Sequence, residues 1–461
     1  MNNGTVYCWG SNEFGELGDG TKKDHLLPTP IKKMTGVTQI ALGAHHSCAR
    51  LDSGKVRCWG KNDGGQLGDG TTSDSALPVE VVGVTGASQI ALGDAHSCAR
   101  MDDGIVRCWG KNDFGQLGDG THDGRTTPSA VKGLNGVGQV GAGGNDTCAR
   151  MDDATVKCWG DNSVGQLGHT SHKMYPVPAL TRGVTGVAQV AVGPVHVCAR
   201  KDDGSVLCWG VNAFGQLGDG TKKTRLEPGP VKDLAGAAQV RVGQGHSCAR
   251  GSDGSVRCWG KNNAHQLGNA GPESTVPVVV EKVSAAVQVQ LGESHTCVRQ
   301  ASGLVWCWGA NAKGQLGDGT TTEATAPVRV AFSGPALPPE PVVKKPPAAR
   351  PVAKKPAARR PAVTDDETAY EEEPAPKKPV RRPAAAVDEQ VDEPGPAPRK
   401  PARRPAPVVD EPAEDPVEEA PRPRRRPAAA PARGDDADPN AEPAPPPRPK
   451  RSSRPPSPSE E

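Results

Sequence analysis

Cysteine and histidine are the residues of this chain whose types and spacing could do chemistry. All thirteen cysteines lie before residue 333. Twelve fall into couples ten residues apart: Cys48 with Cys58, Cys98 with Cys108, Cys148 with Cys158, Cys198 with Cys208, Cys248 with Cys258 and Cys297 with Cys307. A histidine stands two residues before the first member of five couples (His46, His96, His196, His246 and His295), and Asp146 takes that place in the sixth. Thiol bridging, metal ligation and acid–base catalysis are the chemistries such a set could support.

The local chain geometry selects among them. In the copy at 48–58, Asp52-Ser53-Gly54 suits a three-residue hairpin loop, a type I turn closed by glycine in the left-handed region. Counting back from the closing pair Leu51 and Lys55, Cys48 faces Cys58 directly, at a non-hydrogen-bonded pair where Cα atoms sit about 4.5 Å apart. That separation is within the range a disulfide tolerates. Ala154 replaces the glycine in one copy, so that turn is expected to be less secure. Zinc needs ligands converging tetrahedrally, and two cysteines paired across neighbouring strands leave no room between them for an ion. Free thiols, repeated as small core residues, are the plain alternative. Disulfides are expected, with an oxidising compartment and about 2–3 kcal/mol from each loop of about eleven residues. Catalysis finds no support: the histidines occupy equivalent positions, whereas an active site needs unlike groups converging. No catalytic residue, cofactor or metal is expected.

These residues must be positioned by a repeated unit. Cys-Trp-Gly recurs seven times, at 8, 58, 108, 158, 208, 258 and 307, and a period of about 20–50 residues means one supersecondary unit is being stacked. Each unit holds four short stretches rich in Val, Ile, Leu, Cys or Trp, bounded by Gly or Pro, that read as strands, with no apolar pattern long enough for a helix. Four strands per unit around an axis is the arithmetic of a β-propeller. The expected fold is all-β: a seven-bladed propeller over 1–332 with an incomplete first blade, followed by a disordered Pro/Ala/charged tail over 333–461.

Composition narrows the function classes. Net charge is +2, which argues against a strongly basic nucleic-acid-binding domain. No apolar run reaches the length of a membrane span, and no secretory signal is visible. Cys8 is the odd cysteine, its partner falling about ten residues upstream by the repeat spacing. Met1 sits where Met101 and Met151 stand in other copies. The expectation is that the chain begins at an internal methionine, with two strands of blade one and a signal peptide preceding it. The tail alternates basic blocks such as Lys354-Lys355 with acidic ones such as Glu371-Glu372-Glu373, which suits a Pro-rich spacer. Contact of its basic blocks with anionic surfaces is the functional alternative.

Other repeated residues read as scaffold. Trp9, Trp59, Trp109, Trp159, Trp209, Trp259 and Trp308 are expected between blades, while Trp306 is extra. Asn12, Asn62, Asn112, Asn162, Asn212, Asn262 and Asn311 should bond the Gly-rich turn. One carboxylate per Gly-Asp-Gly-Thr loop is too few for calcium. Recognition should fall where copies differ, in the polar loops that follow. Met174, Tyr175, Arg125 and Arg225 are the candidate partner-binding residues there.

The motif Gly104-Ile105-Val106-Arg107-Cys108-Trp109-Gly110, Asn112, Gly115-Gln116-Leu117-Gly118-Asp119-Gly120, with Pro-x-x-Val and Gly-x-x-His-x-x-Ala-Arg, resembles the regulator of chromosome condensation repeat family. The resemblance covers residues 1 to about 330 and implies a seven-bladed propeller; the paired cysteines look like a bacterial, exported variant. The eukaryotic namesake is a guanine-nucleotide exchange factor for a small GTPase that docks on chromatin, and a secreted bacterial β-lactamase-inhibitory propeller clamps a protein through its loops. The function expected here is a non-catalytic, extracellular or cell-surface scaffold for a protein or glycan partner. The alternative is a cytoplasmic exchange factor or chromatin adaptor.

Overall fold

The computed structural model describes residues 5–32 and 34–332, so the tail expected at 333–461 lies outside the described residues. β1 (Tyr7–Gly10) and β2 (His25–Pro30) form a two-stranded sheet. Six four-stranded antiparallel sheets follow, each in chain order, and no described residue is helical. The first complete blade is β3 (Val37–Leu42), β4 (His46–Leu51), β5 (Val56–Gly60) and β6 (Ser75–Glu80). The seven Cys-Trp-Gly strands thus give six complete blades and the outer pair of another.

The strand pattern follows from residue type. On β5 Val56, Cys58 and Trp59 are buried while Arg57 is half-buried, the alternation of a sheet packed between neighbours. Pro78 falls on β6, the outermost strand, where no further strand needs its missing N–H. At the hairpin the Leu51 amide donates to the Lys55 carbonyl at 2.9 Å and the Gly54 amide to the Leu51 carbonyl at 3.0 Å, with Gly54 at φ 72°. Ala154 takes the same turn at φ 61°, a conformation that a Cβ makes unfavourable.

Each core lies between consecutive blades. Trp109 packs with Cys48, Val56, Cys58 and Leu67 of the preceding unit. Gly68, at φ 71°, lies so near this indole that a Cβ on it would come within 2.6 Å of Trp109 Nε1, so the left-handed turn and the aromatic contact both require glycine there. The inner strands are tied directly. Gln39 Nε2 donates to the Ile90 carbonyl at 2.9 Å, and the Ile90 amide donates back to Gln39 Oε1 at 3.0 Å. Gln89 holds Val140, Gln139 holds Val190 and Gln189 holds Val240 through the same reciprocal pair.

The two-stranded sheet stands against the last blade. Trp9 Nε1 donates to the Gln315 carbonyl at 3.0 Å, and Phe332 meets the Tyr7 and Trp9 rings edge-on at 6.0 Å. No described inner strand precedes β3, so Leu42 is 65% exposed where its counterpart Leu92 is 7% exposed.

Candidate functional site

The paired strands bring the cysteines of every couple face to face. Cys48 and Cys58 are register partners, as are Cys98 and Cys108, Cys148 and Cys158, and Cys198 and Cys208. Cys248 opposes Cys258 and Cys297 opposes Cys307 in the last two blades. All six couples are disulfide-bonded as the spacing leads one to expect. Their Cα atoms stand 4.1 Å apart, closer than in ideal strands. Their sulfurs are therefore unavailable to a metal or to nucleophilic chemistry. Cys8 remains a thiol, paired in register with Thr29, and burial pushes it up to about 12. Such a group is not a thiolate nucleophile near neutral pH.

The histidines are structural. His46 Nε2 lies 2.9 Å from Ser97 Oγ in the next blade, and Ser97 Oγ donates to the Gln66 carbonyl at 2.9 Å. With its proton committed there, the hydroxyl must accept from the ring, which fixes the Nε2–H tautomer. Trp109 Nε1 donates to the same Gln66 carbonyl at 2.9 Å. His96, His196 and His246 repeat the arrangement with Thr147, Ser247 and Thr296. Desolvation by burial holds His46, His196 and His246 at about 3, and His96 and His295 at about 4. They stay neutral, and the four bonded to a hydroxyl link one blade to the next.

One link is rewritten. Asp146 replaces histidine, and the hydroxyl position facing it is Val197. Asp146 is fully buried and neither carboxylate oxygen has a hydrogen-bond partner. Burial first, then the charges of Asp161 and Asp94, raise its carboxyl well above the usual carboxylate range.

The long loops at one end of the ring share a rigid frame. Asn112 Nδ2 donates to Asp119 Oδ1, Thr121 and the Asp123 carbonyl, while the Leu117 amide donates to Asn112 Oδ1 at 2.9 Å. Asp119 Oδ1 accepts from the Thr121 amide at 2.9 Å, so this carboxylate folds a turn. Arg125 turns back onto it: Nε and Nη2 donate to Asp119 Oδ2 at 3.1 and 3.0 Å. Arg225 does the same to Asp219 at 2.8 Å, and His25 to Asp19 at 2.7 Å. Where His169 replaces the aspartate, Tyr175 packs its ring against that imidazole at 4.6 Å.

The four candidate residues therefore divide. Arg125, Arg225 and Tyr175 occupy one equivalent position at the start of the outermost strand, half-buried and engaged with their own loops. Met174 projects, 47% exposed. The residues ahead of that position are exposed and differ between copies: Lys22-Lys23-Asp24, His122-Asp123-Gly124, His172-Lys173-Met174 and Lys222-Lys223-Thr224. The same end carries aromatic residues absent from the sequence-derived set. Phe14 lies 5.0 Å from His45 with Lys61 Nζ 5.1 Å from its centroid, and Lys261 Nζ stands 5.3 Å over Phe214. The position varies between copies (Gly64, Phe114, Val164, Ala264), and that variability inside the Asn-to-Gly-Gln-Leu-Gly segment is the signal that marks them.

Known proteins share this architecture. The chain matches the RCC1-like domain over residues 75–344 and the regulator of chromosome condensation (RCC1) repeat over 3–50 and 37–66. No curated protein matches it. Among solved structures it is similar to yeast RCC1 (Prp20) bound to Kap60, with 21% identity, a TM-score of 0.65, and coverage of 71% of this chain and 84% of that one. Prp20p from Saccharomyces cerevisiae, described with its binding to Gsp1p and histones, gives 22% identity and a TM-score of 0.65 over 71% of this chain and 86% of that one. Human WBSCR16 gives 22% identity and a TM-score of 0.65 over 73% and 96%. At these identities the likeness is one of fold. The repeats, the blade architecture and the span of the domain match agree: the chain belongs to the regulator of chromosome condensation (RCC1) repeat family.

Proposed function

We propose that this protein is a non-catalytic binding scaffold of an oxidising, extracellular or cell-surface compartment, and that it takes a protein partner on its long-loop end. One observation carries the reading. Residues that build and lock the ring repeat almost unchanged, whereas the exposed loop residues ahead of the outermost strands change from copy to copy. A rigid frame carrying divergent loops is how binding proteins vary specificity without touching stability. Met174 and Phe214 supply exposed apolar anchors and Lys23 and Lys223 exposed cations, while Lys22 and Lys222 are ion-paired with Asp74 and Glu273, a set that suits a partner offering acidic and apolar groups. Prp20p is described with Gsp1p and histones, and the exchange-factor reading would carry such partners over to this chain. The six disulfides favour the exported reading over a reducing cytosol. A glycan partner and adhesion of the tail to anionic surfaces are further proposals.

The test is retention of a discrete protein by the immobilised chain from the extracellular fraction of its own source. A Met174→Asp, Lys222→Glu, Lys223→Glu variant should lose that protein while keeping its melting temperature. Unchanged retention would move the site off these loops.

A further inference from the structure

The opposite end of the ring, which carries the hairpins and the crossings between blades, holds a shallow, open cavity of about 460 Å³ whose wall includes Arg150, Arg200 and Arg250. These arginines lie on the strand of the first cysteine, two residues after it, in three successive blades, each at the position of Arg50. None of the three makes an ion pair among the described residues, and no carboxylate lines the cavity. Each gives one Nη1 hydrogen bond to the carbonyl of the next residue, at 3.2, 3.1 and 3.1 Å respectively. The Nε atoms of all three are buried without a partner.

The equivalent arginines differ around the ring: Arg50, beside Thr38, likewise leaves its Nε buried without a partner but lies outside the cavity, whereas Arg100 is satisfied. Ser88 stands in its blade at the position of Gly138, Ala188 and Ala238, and Arg100 Nη1 donates to Ser88 Oγ at 2.6 Å while its Nε donates to the Val137 carbonyl. Loss of the hydroxyl in three adjacent blades removes an acceptor from each guanidinium, and at Gly138 the Arg150 guanidinium fills the place a side chain would take. The glutamines on the same wall are taken up by the clamp between inner strands. Three half-buried guanidinium groups around one opening, each with its Nε unpartnered, lack the planar acceptor that arginine is suited to bind.

We propose that this cavity binds a compact oxyanion carrying two or three negative charges on phosphate or carboxylate groups, held by Arg150, Arg200 and Arg250. The site lies at the end of the ring away from the long loops and stands independently of the partner proposed there.

Isothermal titration of the full chain at low salt, with pyrophosphate and separately with citrate, tests it and distinguishes phosphate from carboxylate. Saturable binding of at least one probe is expected. Arg150→Gln with Arg200→Gln and Arg250→Gln should weaken it by a hundredfold or more, taking about tenfold for each charged hydrogen-bonding group. Arg329→Gln, on an exposed outermost strand, should leave it unchanged. Should the triple variant fail to fold, Ala188→Ser with Ala238→Ser decides, since the hydroxyls return an acceptor to Arg200 and Arg250 and should weaken binding severalfold with every charge retained. Absence of binding by both probes, or binding indifferent to the cavity substitutions, overturns the proposal.

Discussion

Asp146 is the residue where the repeat rule is broken and the consequence can be measured. Its carboxyl is raised by burial from an ordinary value of 3.8, so the folded state favours the protonated form. The stability linked to this group is whole below the unfolded value and is lost as pH rises through the folded one. Asp146→Asn removes that loss and should stabilise the protein at neutral pH, with the gain shrinking towards pH 4. A pH series of melting temperatures checks it, and a destabilised variant at neutral pH would contradict the burial argument. Restoring the repeat goes further. Asp146→His combined with Val197→Ser should rebuild the interblade bond, and a double-mutant cycle should return a favourable coupling of about 0.5–3 kcal/mol; a coupling near zero would mean the two side chains do not meet. The four buried histidines and the half-buried His295 pull the opposite way with pH. Their folded values of about 3 to 4 lie below the ordinary 6.5, so their contribution is whole above pH 6.5 and lost as pH falls from there towards 4. Each costs up to about 1.4 kcal/mol per pH unit in that window. Guanidinium midpoints should therefore fall steeply between pH 6.5 and 4, and flat midpoints would show that the rings reach solvent.

Among the elements, the inner strands show what the sequence carries and what it hides. The hairpin of β4 and β5 is legible because turn chemistry and strand alternation are local: three loop residues, the last a glycine, define the register that brings Cys48 opposite Cys58. The same local rule sets Cys158, Cys208, Cys258 and Cys307 against their partners ten residues earlier. The clamp formed by Gln39, Gln89, Gln139 and Gln189 is not legible, since a glutamine in a strand gives no sign that its amide will pair with the backbone of a strand about fifty residues on. Arg125 and Arg225 look like surface anchors for the same reason, as nothing local announces that they fold back onto Asp119 and Asp219. Met174 is exposed as its sequence implies, because the residues ahead of it are polar. The clamp yields its own prediction. Gln139→Ala leaves the Val190 amide and carbonyl without their partners, which should cost about 1–3 kcal/mol in denaturant unfolding. A change well below that range would mean that water replaces the amide.

On the scale of the whole molecule, a ring of similar blades has little fold-level freedom left for function, and its two ends offer different chemistry. One presents divergent loops with apolar and cationic residues; the other presents under-satisfied guanidinium groups around an opening. Between them the sulfurs staple every complete blade across its central hairpin, and this ties the ring to an oxidising environment. Counting thiols with Ellman's reagent on the purified protein, unfolded in guanidinium without reductant, tests that claim most directly. Unfolding exposes Cys8 as well as any unbridged couple. The bridged ring predicts one reactive thiol per chain, rising to thirteen after reduction. Thirteen before reduction, in protein taken from its own compartment, would contradict the account.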